Sequence, residues 1–148
     1  MNSSWKKIRR KTAAIGKAGE KAAAAMFKRK GCILLIRNCR TPRAELDLVL
    51  LDGKTLVFAE VKTLYHRHGS KKDLKPSENL KWHQKRRIWN AAYAYLHELG
   101  KPELAIRFDL VEVIYGAWGP EKIFHHPGIF NREDLKHAGV LSTDYASF

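Results

Sequence analysis

The stretch ELDLVLLDGKTLVFAEVKT, Glu45 to Thr63, limits what this chain can fold into more than any other. Two apolar runs flank the dipeptide Asp52-Gly53, a strong turn signal, so the segment predicts an antiparallel β-hairpin. Yet Glu45, Asp47, Glu60 and Lys62 sit inside those runs. Ionised groups taken out of water cost free energy unless something pairs them. The hairpin therefore has to bring these side chains to each other or to a ligand.

Alternation puts Glu45, Asp47, Val49 and Leu51 on one face of the first strand. It does the same for Leu56, Phe58, Glu60 and Lys62 on the second. With Asp52 and Gly53 as a two-residue turn, Leu51 pairs with Lys54, Asp47 with Phe58, and Glu45 with Glu60. All four charged groups then share one side of the sheet, with Asp47 and Glu60 as diagonal neighbours roughly 7–8 Å apart at the backbone. A four-residue turn sets them directly opposite. A three-residue loop without a bulge puts them on opposite faces.

Carboxylates this close repel, and one is driven to a higher pKa unless a positive charge intervenes. Lys62 offsets part of the repulsion, and a divalent cation offsets more. One or two carboxylates, completed by water and phosphate oxygens, suit Mg²⁺, with Mn²⁺ as its substitute. Lys62 beside such an ion is placed to orient an attacking water or to stabilise developing negative charge. A salt-bridge cluster on a half-solvated sheet face is the other use of the same residues.

The remaining pattern is that of a mixed α/β domain. Residues 1–12 read as a mobile basic arm, and residues 13–148 as a single domain. Alanines and Met26 favour a helix from Ala13 to Lys30, stopped by Gly31. Cys32 to Asn38 is an apolar β-type run. Residues 64–79 read as a basic, Gly/Pro-punctuated loop. A second helix follows from about Asn79 to Leu99, then a strand from Ile106 to Tyr115. KIFHHPGIF suggests a short last strand, and the tail from Asn131 reads as irregular. The expected core is a mixed sheet of four or five strands flanked by helices, with the early hairpin carrying the site.

Charge narrows the partner. The net charge of +13 is unevenly spread. Residues 1–43 hold thirteen Lys and Arg against one acid, Glu20, while residues 102–148 hold four against seven. A concentrated basic field suits a polyanion. No apolar run nears the roughly 20 residues of a membrane helix, and the basic N-terminus lacks the apolar stretch of a signal peptide. The expectation is a cytoplasmic protein that binds nucleic acid and no membrane. Cys32 and Cys39 are seven residues apart. In one extended strand they point to opposite faces, so they read as reduced thiols.

Lys6, Lys7, Arg9, Arg10 and Lys11, with Arg40 and Arg43 near the hairpin and Lys85, Arg86 and Arg87 on the second helix, are the candidates for backbone phosphate contacts. Such contacts position a duplex without reading its sequence. The i, i+4, i+7, i+11 stripe Lys85, Trp89, Ala92, Leu96 turns Lys85 inward, where it either approaches the site or snorkels at the edge of the core. Trp82 and Trp89, seven apart, read as core. His66 and His68 complete no zinc cluster. Asp109 reads as a structural residue with a basic partner.

The hairpin motifs AELDLV and VFAEVKT resemble the core of the PD-(D/E)XK, or restriction-endonuclease-like, nuclease superfamily. The ordered set Gly19-Glu20, Arg37-Asn38, ELDL, FAEVKT, AYAYL, RFDLV (Arg107 to Val111) and Ile129 to Asn131 is similar to the YraN-type family of bacterial proteins, themselves similar to archaeal Holliday junction resolvases. The resemblance implies that Asp47, Glu60 and the backbone carbonyl of Val61 hold the metal. It implies that Lys62 is the catalytic lysine, with Glu20 and Glu45 as accessory acidic groups. Ala44 replaces the usual glycine, and Leu64 replaces the usual arginine after Lys-Thr, which removes one phosphate contact.

The expected activity is metal-dependent hydrolysis of DNA phosphodiesters, selective for structure such as junctions, flaps or ends. A non-catalytic nucleic-acid-binding module on the same fold is the alternative, and RNA ranks below branched or single-stranded DNA. Junction resolution would need a homodimer to place two sites symmetrically, and no sequence feature decides this.

Overall fold

The structure is a computed structural model that describes residues 3–66, 80–100 and 102–141, with side chains from Arg10 onward. Helix α1 (Ser3–Arg29) leads into strands β1 (Ile33–Arg40), β2 (Glu45–Asp52) and β3 (Thr55–Tyr65). Helix α2 (Trp82–Glu98), β4 (Ala105–Gly116), β5 (Gly119–Phe130) and α3 (Arg132–His137) follow. The five strands form one sheet in sequence order. All neighbours are antiparallel except β3 and β4, which are parallel from Thr55/Ala105 to Tyr65/Tyr115. A parallel neighbour needs a crossover, and α2 supplies it.

Each sheet face has its own apolar layer. Ala23, Met26 and Phe27 of α1 cover Leu48, Leu50, Val57, Val111 and Val113. Ile88, Trp89, Ala92 and Leu96 of α2 cover Val49, Leu56, Phe58, Phe108 and Leu110. Phe108 anchors the second layer, with ring centroids 5.7 Å from Phe58, 5.6 Å from Trp89 and 4.5 Å from Phe130. The expected mixed sheet between helices is therefore present, and the arrangement is compatible with a restriction-endonuclease-like fold.

Several boundaries differ from the expectations. Helix α1 begins at Ser3 rather than Ala13, so residues 3–12 are its first turns. β5 spans Gly119–Phe130, longer than its apolar run, because its first residues complete the ladder with β4. The tail contains α3, whose capping box pairs the Asn131 side chain with the Asp134 N–H and the Asp134 carboxylate with the Asn131 N–H. Trp82 is 46% exposed and does not join Trp89 in the core. Most of the expected loop, residues 67–79, lies outside the described residues, as do His68 and the end of the tail.

Candidate functional site

The β2–β3 turn differs from the expected one by a single step. Asp52 pairs with Thr55, so Gly53 and Lys54 form the two-residue loop. Gly53 has φ of 59° at the first central position, where a type II′ turn requires it. Leu48 therefore pairs with Ala59. One step further along this register, Asp47 stands directly opposite Glu60 rather than diagonal to it. The ladder stops there, and the Val61 N–H donates to Asp47 Oδ2 at 2.8 Å. The two carboxyl groups are close enough for each to act on the other's charge.

Their electrostatics follow from this closeness. Burial and then the charge of Glu60 push the Asp47 carboxyl up to about 7, against the opposing pull of the Val61 N–H. Burial also raises Glu60, while Arg87 and Lys62 hold it down. Arg87, one of the residues expected to contact phosphate, places Nη2 2.8 Å from Glu60 Oε1. Helix α2 thus delivers a cation to a strand residue 27 positions away, a contact that no local spacing announces.

Glu20 comes from the other face. Gly19 packs against Thr63 so closely that a β-carbon there would run into the threonine hydroxyl. That close approach seats α1 on β3 and brings Glu20 near enough to raise Asp47. The Glu20 Oε2 is buried without a hydrogen-bond partner. Glu45 is exposed and only loosely paired with Arg40, at 3.9 Å, so it lies at the rim. Among the described residues, no group of three or more His, Cys, Asp or Glu stands ready-made for a metal ion. A cation would therefore rest on the Asp47–Glu60 pair and the Val61 carbonyl, with water completing its shell. The orphaned Glu20 oxygen and the two facing carboxyl groups fit such a hard cation, because they place oxygen ligands and negative charge together.

Two clefts flank Glu20. One, of about 590 Å³, lies between α1 and the end of β3. The other, of about 500 Å³, lies between α1 and the β1–β2 connection and includes Lys17, Asn38, Arg40 and Glu45. Asn38 has φ of 51°, a left-handed conformation that asparagine tolerates better than most residues. Lys17 was not singled out by sequence, since a lone lysine on a helix carries no signal. Arg10, Lys11, Arg40, Arg43 and Arg86 are exposed. The side chains of Lys6, Lys7 and Arg9 lie outside the described residues. Lys85 does not reach the carboxylates but rests 4.3 Å above the Trp82 ring.

The remaining charged groups tie the sheet together. Asp109 is buried and accepts from Arg107 Nε and Nη2 at 2.9 and 3.0 Å and from the Gly128 N–H at 3.0 Å, and it bonds His125 Nε2 at 2.8 Å. Burial alone would raise its carboxyl, but these hydrogen bonds outweigh burial and hold it below the ordinary carboxylate range. Arg107 also reaches Asp52 Oδ2 at 2.9 Å, and His125 Nδ1 meets Lys30 Nζ at 2.7 Å. Asp109 thus has the basic partner expected of it. Both cysteines are free. No helix among the described residues is long and apolar enough to cross a membrane.

Fold and site together define a class: a mixed α/β protein with two facing carboxyl groups and a lysine where two antiparallel strands part. Its particular membership follows from residues 19–113, which match the model of the uncharacterised protein family UPF0102. The chain belongs to that family. It is 38% identical over 112 residues to a UPF0102 protein of Pelotomaculum thermopropionicum, covering 76% of this chain and 90% of the relative. It is 39% identical over 118 residues to one of Anaeromyxobacter dehalogenans, covering 80% and 84%. With one of Symbiobacterium thermophilum it shares 40% over 106 residues, covering 71% and 86%. The matched span begins at Gly19, so the pair that seats Glu20 lies inside it.

Proposed function

We propose that this protein is a magnesium-dependent endodeoxyribonuclease of the PD-(D/E)XK type, acting on DNA by structure rather than by sequence. The observation that carries the reading is the Asp47–Glu60 pair facing each other where the β2–β3 ladder ends, its Asp47 carboxyl pushed up to about 7, with Lys62 two residues along β3. A group so perturbed beside clefts is the signature of a functional site. Asp47, Glu60 and the Val61 carbonyl would hold magnesium. When bound, the ion supplies positive charge to the phosphoryl oxygens and acidifies water.

The chain's own residues do the rest. Asp47 is fixed by the Val61 N–H, so its second oxygen keeps one direction. Lys62 adds positive charge beside Glu60 and stabilises negative charge developing on the phosphate. Exposed Arg40 and Arg43 hold phosphates to either side. Water attacks phosphorus, the P–O3′ bond breaks, and the leaving oxygen takes a proton.

The test uses labelled duplex, flap, single-stranded and four-way-junction DNA, with Mg²⁺, Mn²⁺ or chelator, beside Asp47→Asn. Metal-dependent cutting that disappears in the variant is the expected result. Equal cutting by the variant would sink the site assignment. The Arg87–Glu60 ion pair favours a second reading, a non-catalytic binding module in which arginine takes the cation's place. In the nuclease reading, Arg87→Ala removes a competing charge and increases the thermal stabilisation by Mg²⁺. In the binding-module reading, Mg²⁺ shifts neither protein.

A further inference from the structure

The larger of the two clefts has a chemistry that phosphate binding does not use. It is lined by Lys11, Thr12, Ile15 and Glu20 from α1 and by Val61, Thr63 and Tyr65 from β3. Its volume of about 590 Å³ lies within the roughly 300–1,000 Å³ that ligand sites occupy. Tyr65, one of the lining residues, is 41% exposed. Its backbone is nevertheless well anchored. Tyr65 pairs with Tyr115, and the next residue, His66, donates its N–H to Tyr115 O at 2.8 Å and bonds Glu121 through its ring at 3.0 Å. The ring is therefore carried on a fixed stretch of backbone and is open to solvent. Lys11 Nζ lies 5.5 Å from its centroid.

We propose that this cleft receives one unpaired nucleobase of the DNA strand, next to the phosphate attacked at the Asp47–Glu60 site, with the base stacked on Tyr65. The proposal rests on the nuclease reading for the position of that phosphate. Three observations carry it. The cleft runs into the site, since Glu20 and Val61 belong to both. Its walls pair an aromatic and an aliphatic surface with hydroxyls, the mixture a base edge and face require. An exposed cation–π contact is also weaker than a base–aromatic stack, so a base displaces Lys11 from the ring. The ammonium is then released beside the backbone that carries the base, where a phosphate neutralises it.

The consequence is a substrate class. A base inside a continuous duplex cannot enter a side cleft without losing its stack and its pair, so DNA that is already unpaired beside the cut is preferred. Gaps, flaps and strand ends meet that condition.

The experiment uses full-length protein in chelator, so that nothing is cut, and gapped oligonucleotides carrying the fluorescent base 2-aminopurine at successive positions. Quenching at one position beside the gap is expected. It should be lost in Tyr65→Ala, retained in Tyr65→Phe, and accompanied by about a tenfold loss of affinity in the alanine variant. Circular dichroism and thermal melts confirm that both variants fold. With Mg²⁺ restored, Tyr65→Ala should raise KM for gapped DNA and leave kcat near wild type. Quenching at no position, or equal quenching in Tyr65→Ala, overturns the cleft assignment even if Asp47-dependent cutting persists. Tyr65-dependent quenching without any cutting upholds the cleft and removes only the nuclease reading.

Discussion

Asp47 and Gly19 concentrate what single residues contribute here. An unfolded aspartate titrates near 4, whereas folding pushes Asp47 up to about 7. Between these values the folded chain keeps a proton that the unfolded chain has lost. The group's contribution to stability is therefore present below about pH 4 and fades as pH rises to about 7. Metal-free protein should lose melting temperature across that window, and Asp47→Asn should flatten the loss. Mg²⁺ competes with the proton on Asp47, so its stabilisation should be greater at pH 8 than at pH 6. An Mg²⁺ shift of equal size in Asp47→Asn would remove these carboxyls from metal binding. Gly19 acts through space alone. A methyl there collides with Thr63, a β-branched side chain with little rotamer freedom. Gly19→Ala should cost about 1–3 kcal/mol in urea denaturation, the usual penalty for overpacking. Adding Thr63→Ala should recover much of that loss, and no recovery would mean that the helix–strand contact is not the cause.

Between elements, the strongest tie outside the site is Asp109 on β4, which joins Arg107, His125 on β5 and, through His125, Lys30 beyond the end of α1. Removing one partner of a buried ionic network leaves the others uncompensated, so Asp109→Ala should cost about 3–5 kcal/mol at pH 7. Its lowered pKa means that the native contribution is present above about pH 4 and is lost as pH falls through the folded value. Urea titrations at pH 7 and pH 3.5 should show the cost of the variant shrinking in acid. The same network separates what sequence reveals from what it hides. The β2–β3 hairpin and β4 were legible because alternation and a Gly turn are local signals. The exact turn residues were not, because one step of register depends on which residue takes the positive φ. The Arg87–Glu60 pair was hidden because a crossover helix creates it. Glu20 was legible only through its glycine neighbour and the family pattern. Helix α3 had a local signal, the Asn131/Asp134 box, in a stretch whose polarity suggested a loop.

For the whole molecule, the net charge of +13 predicts a measurable salt dependence if DNA is the partner. Each phosphate neutralised by a lysine or arginine releases counterion, and log K falls with log salt by about 0.9 per contact on duplex DNA and about 0.7 on a single strand. Arg40 and Arg43 are exposed beside the cleft between α1 and the β1–β2 connection, and neither belongs to a core cluster. Replacing both with alanine should therefore leave the melting temperature close to wild type. It should weaken binding to every DNA structure by a similar factor and reduce the salt slope by about two, because phosphate contacts position without discriminating. Tyr65→Ala should instead weaken binding to gapped DNA selectively and leave the slope unchanged, because stacking releases no counterion. A titration series from low to high salt on duplex and gapped DNA separates the two effects. If the arginine pair alters the preference between structures while the slope stays fixed, these residues read shape rather than charge, and the division of labour between the two clefts is wrong.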